Sequence, residues 1–177
     1  KPDQAYQESQ QIYLNYQKVI QMQFPALWNC DLCFNGGGSP TFTFHVSESV
    51  CNDLSFGSML LKPSDFESES LKSLQPALWI AAPVLKVLPF AQLPAMPLLN
   101  KLPHKSKALF IYGGYWMADY VYPNQCRPHL LYGRSSNQEL VNVSRNCDIQ
   151  VDDFVFLRPT QSEAILPQFS ELKLYKQ

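Results

Sequence analysis

Charge of one sign is the first thing this chain lacks. Fourteen Lys and Arg against fifteen Asp and Glu leave a net charge of -1. That balance argues against nucleic acid or an anionic membrane as the main partner. Long apolar runs are also missing, and none approaches the roughly 20 residues of a membrane span. The opening residues, Lys1-Pro2-Asp3-Gln4, show neither an initiator methionine nor a signal-peptide pattern. They fit a processed chain, a fragment, or a chain whose beginning lies elsewhere. Cysteine is sparse, odd in number and scattered: Cys30, Cys33, Cys51, Cys126 and Cys147. Such a set fits reduced thiols in a cytoplasmic protein better than a disulfide framework. Cys30-Asp31-Leu32-Cys33 has CxxC spacing but no second pair and no histidine nearby, so its thiols read as buried and inert. Asn142-Val143-Ser144 fits a glycosylation acceptor, and nothing else points to secretion.

Enough remains to build a core. Hydrophobic residues make up 46% and aromatics 13%, which excludes disorder, and 177 residues allow one large domain or two small ones. Glycine is rare, and three of the seven fall together in Asn35-Gly36-Gly37-Gly38-Ser39-Pro40-Thr41. Without a Cβ, successive N–H groups can turn into one concavity and bind phosphate, with Ser39 and Thr41 adding hydroxyl donors. The same triplet also reads as a plain turn between two strands. The residues alone leave both open.

The chain divides into blocks. Residues 3–23 read as a helix carrying Ala5, Tyr6, Ile12, Tyr13, Tyr16, Val19, Ile20 and Gln23 along one face, capped by Asp3 and stopped by Phe24-Pro25. A strand through Leu32 to Phe34 then runs into the glycine loop. Helix, strand and phosphate-type loop is the grammar of an α/β barrel or doubly wound sheet, yet one such unit closes neither fold. Residues 1–74 are therefore expected to be the end of a TIM-type barrel. From 75 to 177 the pattern is that of an all-β domain. Short apolar runs (Ala77 to Leu88, Ala108 to Tyr112, Leu130 to Tyr132, Phe154 to Leu157, Leu172 to Tyr175) are punctuated by most of the fourteen prolines. Leu88 to Pro103 reads as a packed extended loop.

Four segments, in order and spacing, resemble one family. They are Gly36-Gly37-Gly38-Ser39-Pro40-Thr41, Asn52-Asp53-Leu54-Ser55-Phe56-Gly57-Ser58, Pro76 to Val84, and Val151-Asp152-Asp153-Phe154-Val155-Phe156-Leu157-Arg158-Pro159. Together they are similar to the C-terminal half of the D-serine dehydratase and D-threonine aldolase-like enzymes, pyridoxal-phosphate proteins related to alanine racemases. The resemblance spans about residues 28–177. It implies a (β/α)8 barrel followed by a C-terminal β domain, and dehydration, aldol cleavage or racemisation of a D-amino acid through a Cα carbanion. It implies further that Gly36, Gly37, Gly38, Ser39 and Thr41 hold the cofactor phosphate, with Asp53, Gly57 and Ser58 close by. The Schiff-base lysine of the family has no counterpart here and is expected outside this chain, with Lys18, Lys62 and Lys86 as surface residues.

The resemblance breaks after Pro159. The family places a His-x-Cys or His-x-Asp metal pair there, whereas this chain has Gln161 and Glu163. The family's Glu-His pair is likewise replaced by Asn137-Gln138-Glu139, and none of His45, His104 or His129 falls at a matching position. Glutamine is a poor substitute for imidazole at zinc, so no metal is expected, and Gln161 and Glu163 are assigned to the substrate pocket. The family resemblance also implies a homodimer in which barrel and β domain pack head to tail, each active site near the partner's β domain, which would cover the apolar surface of a divided barrel. A second reading makes the chain a non-catalytic β-domain module that binds peptide or carbohydrate through Tyr115, Trp116, Tyr120 and Tyr122, the glycines forming only a turn. Against that stands the packing of those aromatics in a core or interface. A racemase-like cofactor carrier without turnover is a third.

Overall fold

The computed structural model describes residues 2–28, 31–92, 94–95, 100 and 104–175. Cys30 of the CxxC pair and part of the Leu88 to Pro103 loop lie outside the described residues. Helix and sheet are both present, in two compact units: Lys1–Lys62 with Phe66–Gln75, and Pro63–Asp65 with Pro76–Gln177.

The first unit is led by helix α1 (Pro2–Gln23), with α2 (Pro25–Trp28) after the break at Phe24. The inward face of α1 differs from the expected apolar stripe. Tyr6 and Gln10 are buried, and Tyr13, Gln17 and Ile20 are half-buried below them, one every three or four residues. The polar tips along this stripe bond to backbone. Tyr6 donates to the Glu48 carbonyl and Tyr13 to that of Asn35, while Gln17 donates to the Val50 carbonyl at 3.0 Å and Gln10 accepts from Val50 N–H at 2.8 Å. Ile12, Tyr16 and Val19 point outward and are exposed. The helix is thus docked by satisfying loop backbone, and its apolar stripe is left bare.

Strands β1 (Asn35–Gly37) and β2 (Asp53–Ser55) pair in parallel, Gly36 opposite Leu54. The strand expected over Leu32 to Phe34 starts later, because the glycines themselves form it. A crossover containing helix α3 (Phe42–His45) joins the two strands. Tyr6, Phe44 and His45 pack together beneath them, with Phe42 edge-on to Phe56 at 4.9 Å. Met59 and Leu71 complete this small core. Lys62, expected at the surface, is buried instead. Its φ of 43° turns the side chain inward, where Nζ donates to the Leu74 carbonyl at 2.6 Å and lies 3.9 Å from Glu67.

The second unit is a six-stranded antiparallel sheet that curls into a nearly closed, barrel-like form. Its strands are β3 (Ile80–Leu88), β4 (Ser106–Tyr112), β5 (Ala118–Tyr122), β6 (Arg127–Pro128), β7 (Gln138–Ser144) and β8 (Phe154–Pro159), in the order β5-β8-β3-β4-β7-β6. β3 is the corner. Its first half pairs with β8 and its second with β4, and a register shift between Val84 and Lys86 bends the strand where the partner changes. Inward-facing Ile80, Ala82, Val84, Leu109, Ile111, Val141, Val143, Val155 and Leu157 fill the interior. Leu130 to Tyr132, expected as a strand, is a turn with Leu130 96% exposed, and Leu172 to Tyr175 carries no strand either. Neither run has a neighbour to supply a ladder.

Candidate functional site

At the carboxyl end of β1 the backbone turns sharply. Gly37 has φ 120° and Gly38 φ 132°, in the region that favours glycine. Their reasons differ. A Cβ on Gly37 would lie 2.5 Å from the Ser55 carbonyl, so this glycine allows β1 and β2 to approach. A Cβ on Gly38 would meet nothing closer than Thr41 Oγ1 at 3.7 Å, and one on Gly57, beyond the end of β2, would meet nothing within 4 Å. Gly57 thus borders open space, whereas Gly38 has Thr41 at ordinary contact distance.

The two loops are tied together. Met59 N–H, one turn past Gly57, donates to Ser39 Oγ at 3.2 Å. Gly37, Gly38 and Ser39 are thereby brought toward Gly57 and Ser58 at one end of the parallel pair, while Gly36 lies within β1, opposite Leu54 and against Cys51. Ser39 Oγ accepts in that bond and keeps a hydroxyl proton of its own. Thr41 is used differently: its Oγ1 donates to the Gly38 carbonyl at 3.2 Å, and its N–H reaches the same oxygen at 3.0 Å, closing the turn. Asp53 stands at the start of β2, opposite Asn35, whose Nδ2 donates to Asp53 Oδ2 at 2.5 Å and to Ser55 Oγ at 2.8 Å. It clamps the strand pair at the end away from the glycine turns.

His45 lies beneath the loops, buried, with Nδ1 3.0 Å from Ser49 Oγ, and burial lowers its pKa. It supports the loops from below and belongs to the packed core. Cys33, expected buried, is exposed in the coil before β1, where it lines an open hollow with Trp28, Phe34 and Asp53. No strand forms around it to cover it.

Gln161 and Glu163 sit in the second unit, around the start of helix α4 (Ser162–Ile165), and both are exposed. Gln161 Nε2 donates to Asp65 Oδ2 at 3.3 Å, and Asp65 N–H donates to the Thr160 carbonyl at 3.3 Å. Among the described residues, no three His, Cys, Asp or Glu side chains converge in a group able to hold a metal ion. Of the four aromatics in the binding-module reading, Trp116 is in the core, Tyr120 packs against it, and Tyr115 and Tyr122 are exposed.

One polar cluster gave little sign of itself in the sequence. Glu139 on β7 is 1% exposed and faces the sheet interior. Burial pushes its pKa up to about 7, with a backbone bond from Ser135 pulling the other way. Arg134 bridges the seam between β5 and β7. Its guanidinium stacks on Tyr120 at 4.4 Å, donates to the Ala118 carbonyl and approaches Glu139 Oε1 to 3.6 Å. The alternation of Glu139, Val141 and Val143 on one face of a strand was the signal that could have found it.

No protein-family model matches the chain, and no curated protein matches it. Among the described residues no helix is long and apolar enough to cross a membrane.

Proposed function

We propose that this chain is the C-terminal portion of a pyridoxal-phosphate enzyme that acts on a D-amino acid by dehydration, aldol cleavage or racemisation. The observation that carries this reading is the pair of glycine-bearing loops at the carboxyl ends of two parallel strands, joined through Ser39 and Met59. Ligands of α/β sheets and barrels gather at that end, outside the strand termini. In this reading β1 and β2 close a (β/α)8 barrel, and the bare stripe of Ile12, Tyr16 and Val19 packs on neighbouring barrel helices. The six-stranded sheet is then the C-terminal β domain.

The residues present fit a phosphate. Gly57 has open space where a side chain would stand, Gly38 has only Thr41 Oγ1 near it, at 3.7 Å, and Ser39 has a hydroxyl proton to give. The N–H groups around Gly37 and Gly38, with Ser39 and Ser58, hold the phosphate oxygens. Gly36 makes room for the Cys51 side chain, whose Sγ would lie 2.4 Å from a Cβ there, Thr41 fixes the turn, and Asp53 holds the strand pair through Asn35. Pyridoxal phosphate, when bound, supplies the electron sink for negative charge at Cα. Gln161 and Glu163 carry polar groups for the substrate, in a site without zinc, since the glutamine amide is a weak replacement for imidazole. The lysine that bonds the cofactor belongs to a segment outside this chain, and the assembly is a cytoplasmic homodimer.

The test is the visible spectrum of the protein made from the complete gene, before and after borohydride. A yellow band that borohydride bleaches is expected. A colourless protein that takes up no added cofactor would overturn the proposal.

A further inference from the structure

Among the described residues four cysteines are free thiols. Cys33 and Cys51 belong to the first unit, Cys126 and Cys147 to the second. Strand register brings the second pair to one end of the sheet. β6 and β7 pair Arg127 with Asn142 and Pro128 with Val141, so one residue further back Cys126 stands beside Val143. On its other side Val143 is paired with Lys107 of β4. Cys126, Val143 and Lys107 therefore form one row, each about 5 Å from the next along the backbone.

Cys147 is carried back over this row. β7 ends at Ser144, and in the turn that follows Cys147 N–H donates to the Ser144 carbonyl at 3.1 Å. The Cys147 carbonyl then accepts from Nζ of Lys107, the far member of the row. Cys126 is buried in the core cluster that also holds Val143, and the half-buried Cys147 packs against that cluster. Burial pushes the Cys126 thiol up to about 12, and the next contributor is Cys147, whose negative charge would oppose a second one nearby.

We propose that Cys126 and Cys147 are a redox staple, which a small-molecule disulfide converts into an intramolecular disulfide bond. Cys147, the more exposed thiol, gives its proton to solvent, and its thiolate attacks one sulfur of the small disulfide. A mixed disulfide forms on Cys147 and one small thiolate leaves. The Cys126 thiolate, its proton likewise released, then attacks Cys147 Sγ. The Cys126–Cys147 bond forms as the second small thiolate departs. The protein loses two electrons and two protons, and the small disulfide gains them as two thiols. The second step is the slow one, since burial leaves Cys126 little thiolate. The bond joins the approach to the edge strand β6 to the turn after β7 and closes a loop that contains Arg134 and Glu139. A closed loop restricts the unfolded chain, so the oxidised protein melts higher than the reduced one. The staple does not depend on the proposed cofactor, and its test uses none.

The test starts from the complete protein, folded and reduced, and incubates it with oxidised glutathione. The reaction is quenched with acid, remaining thiols are alkylated in denaturant, and peptides are mapped by mass spectrometry without reductant. The expected product is one peptide pair joined through Cys126 and Cys147, lighter by two hydrogens than its separate parts. Its melting temperature should exceed that of the reduced protein. Cys126→Ser should stop with glutathione held on Cys147, and Cys147→Ser should lose both the link and the rise in melting temperature. If either variant fails to fold, the wild-type map still decides. Cys126 found alkylated after oxidation would overturn the proposal, whether Cys147 is free, carries glutathione or is joined elsewhere. So would a linked protein that melts no higher than the reduced one.

Discussion

Gly37 and Gly57 flank the same site for opposite physical reasons, and substitution separates them. A Cβ at Gly37 would strike the Ser55 carbonyl at 2.5 Å and force a side chain into φ 120°. Gly37→Ala is expected to cost on the order of 1–3 kcal/mol of stability, the scale of a strained backbone position. Gly57 has φ −124° and no atom within 4 Å of its would-be Cβ. Gly57→Ala is expected to change stability by less than about 1 kcal/mol while weakening uptake of pyridoxal phosphate by the complete protein. Urea melts and cofactor titration of both variants make the check. If Gly57→Ala bound cofactor like wild type, the space beside Gly57 would not be the phosphate's. The sequence displayed the glycine run but not this division of labour, because whether a Cβ meets a carbonyl or open space depends on a strand nearly twenty residues away.

Between β5 and β7 the sheet is closed by side chains, since no backbone ladder joins those strands. Arg134 reaches from the intervening loop to Ala118, Tyr120 and Glu139, and the stability of this seam depends on protonation. Burial raises the pKa of Glu139 from 4.5 to about 7, so between those values the folded protein holds a proton that the unfolded chain has released. The contribution of Glu139 to stability is therefore greatest below about pH 4.5 and falls as pH climbs to about 7. The decline attributable to Glu139 is on the order of 3 kcal/mol. Glu139→Gln keeps the shape and removes the titration, so its stability should follow a shallower slope through that window and approach wild type at the acid end. Denaturation at a series of pH values measures both, and parallel slopes would sink the assignment. Strand-level legibility varied for a related reason. β3, β4 and β8 stand out through the apolar runs Ile80 to Leu85, Ala108 to Tyr112 and Phe154 to Leu157, in which both faces are apolar. β5 and β7 did not, because Asp119 interrupts the short run Ala118 to Tyr122, and Gln138, Glu139 and Asn142 interrupt Gln138 to Ser144. Leu130 to Tyr132 misled in the other direction, its apolar side chains being exposed on a turn.

Across the whole chain, the two units differ in how much holds each of them. β4 and β7 share seven paired residues within a sheet whose inward side chains are fully buried, whereas β1 and β2 share three pairs and, among the described residues, have no further strand on either side. A parallel pair so short gains little from its own ladder, and parallel sheets are stable chiefly when both faces are covered. The first unit instead relies on the tips of Tyr6, Gln10, Tyr13 and Gln17 bonding to loop backbone, each bond contributing about 1 kcal/mol. Its opening free energy should consequently lie well below that of the six-stranded sheet. Hydrogen exchange on the isolated 177-residue chain is expected to show Leu54 and Ser55 amides exchanging orders of magnitude faster than those of Val141 and Val143. If the chain closes a barrel as proposed, the β1 and β2 amides of the complete protein should slow toward the values of the sheet, since further parallel strands would pair their free edges. Equal protection of both units in the isolated chain would mean that the first is a finished domain. The outward stripe of α1 would then have to be an ordinary solvent face, and the barrel reading would lose its structural footing.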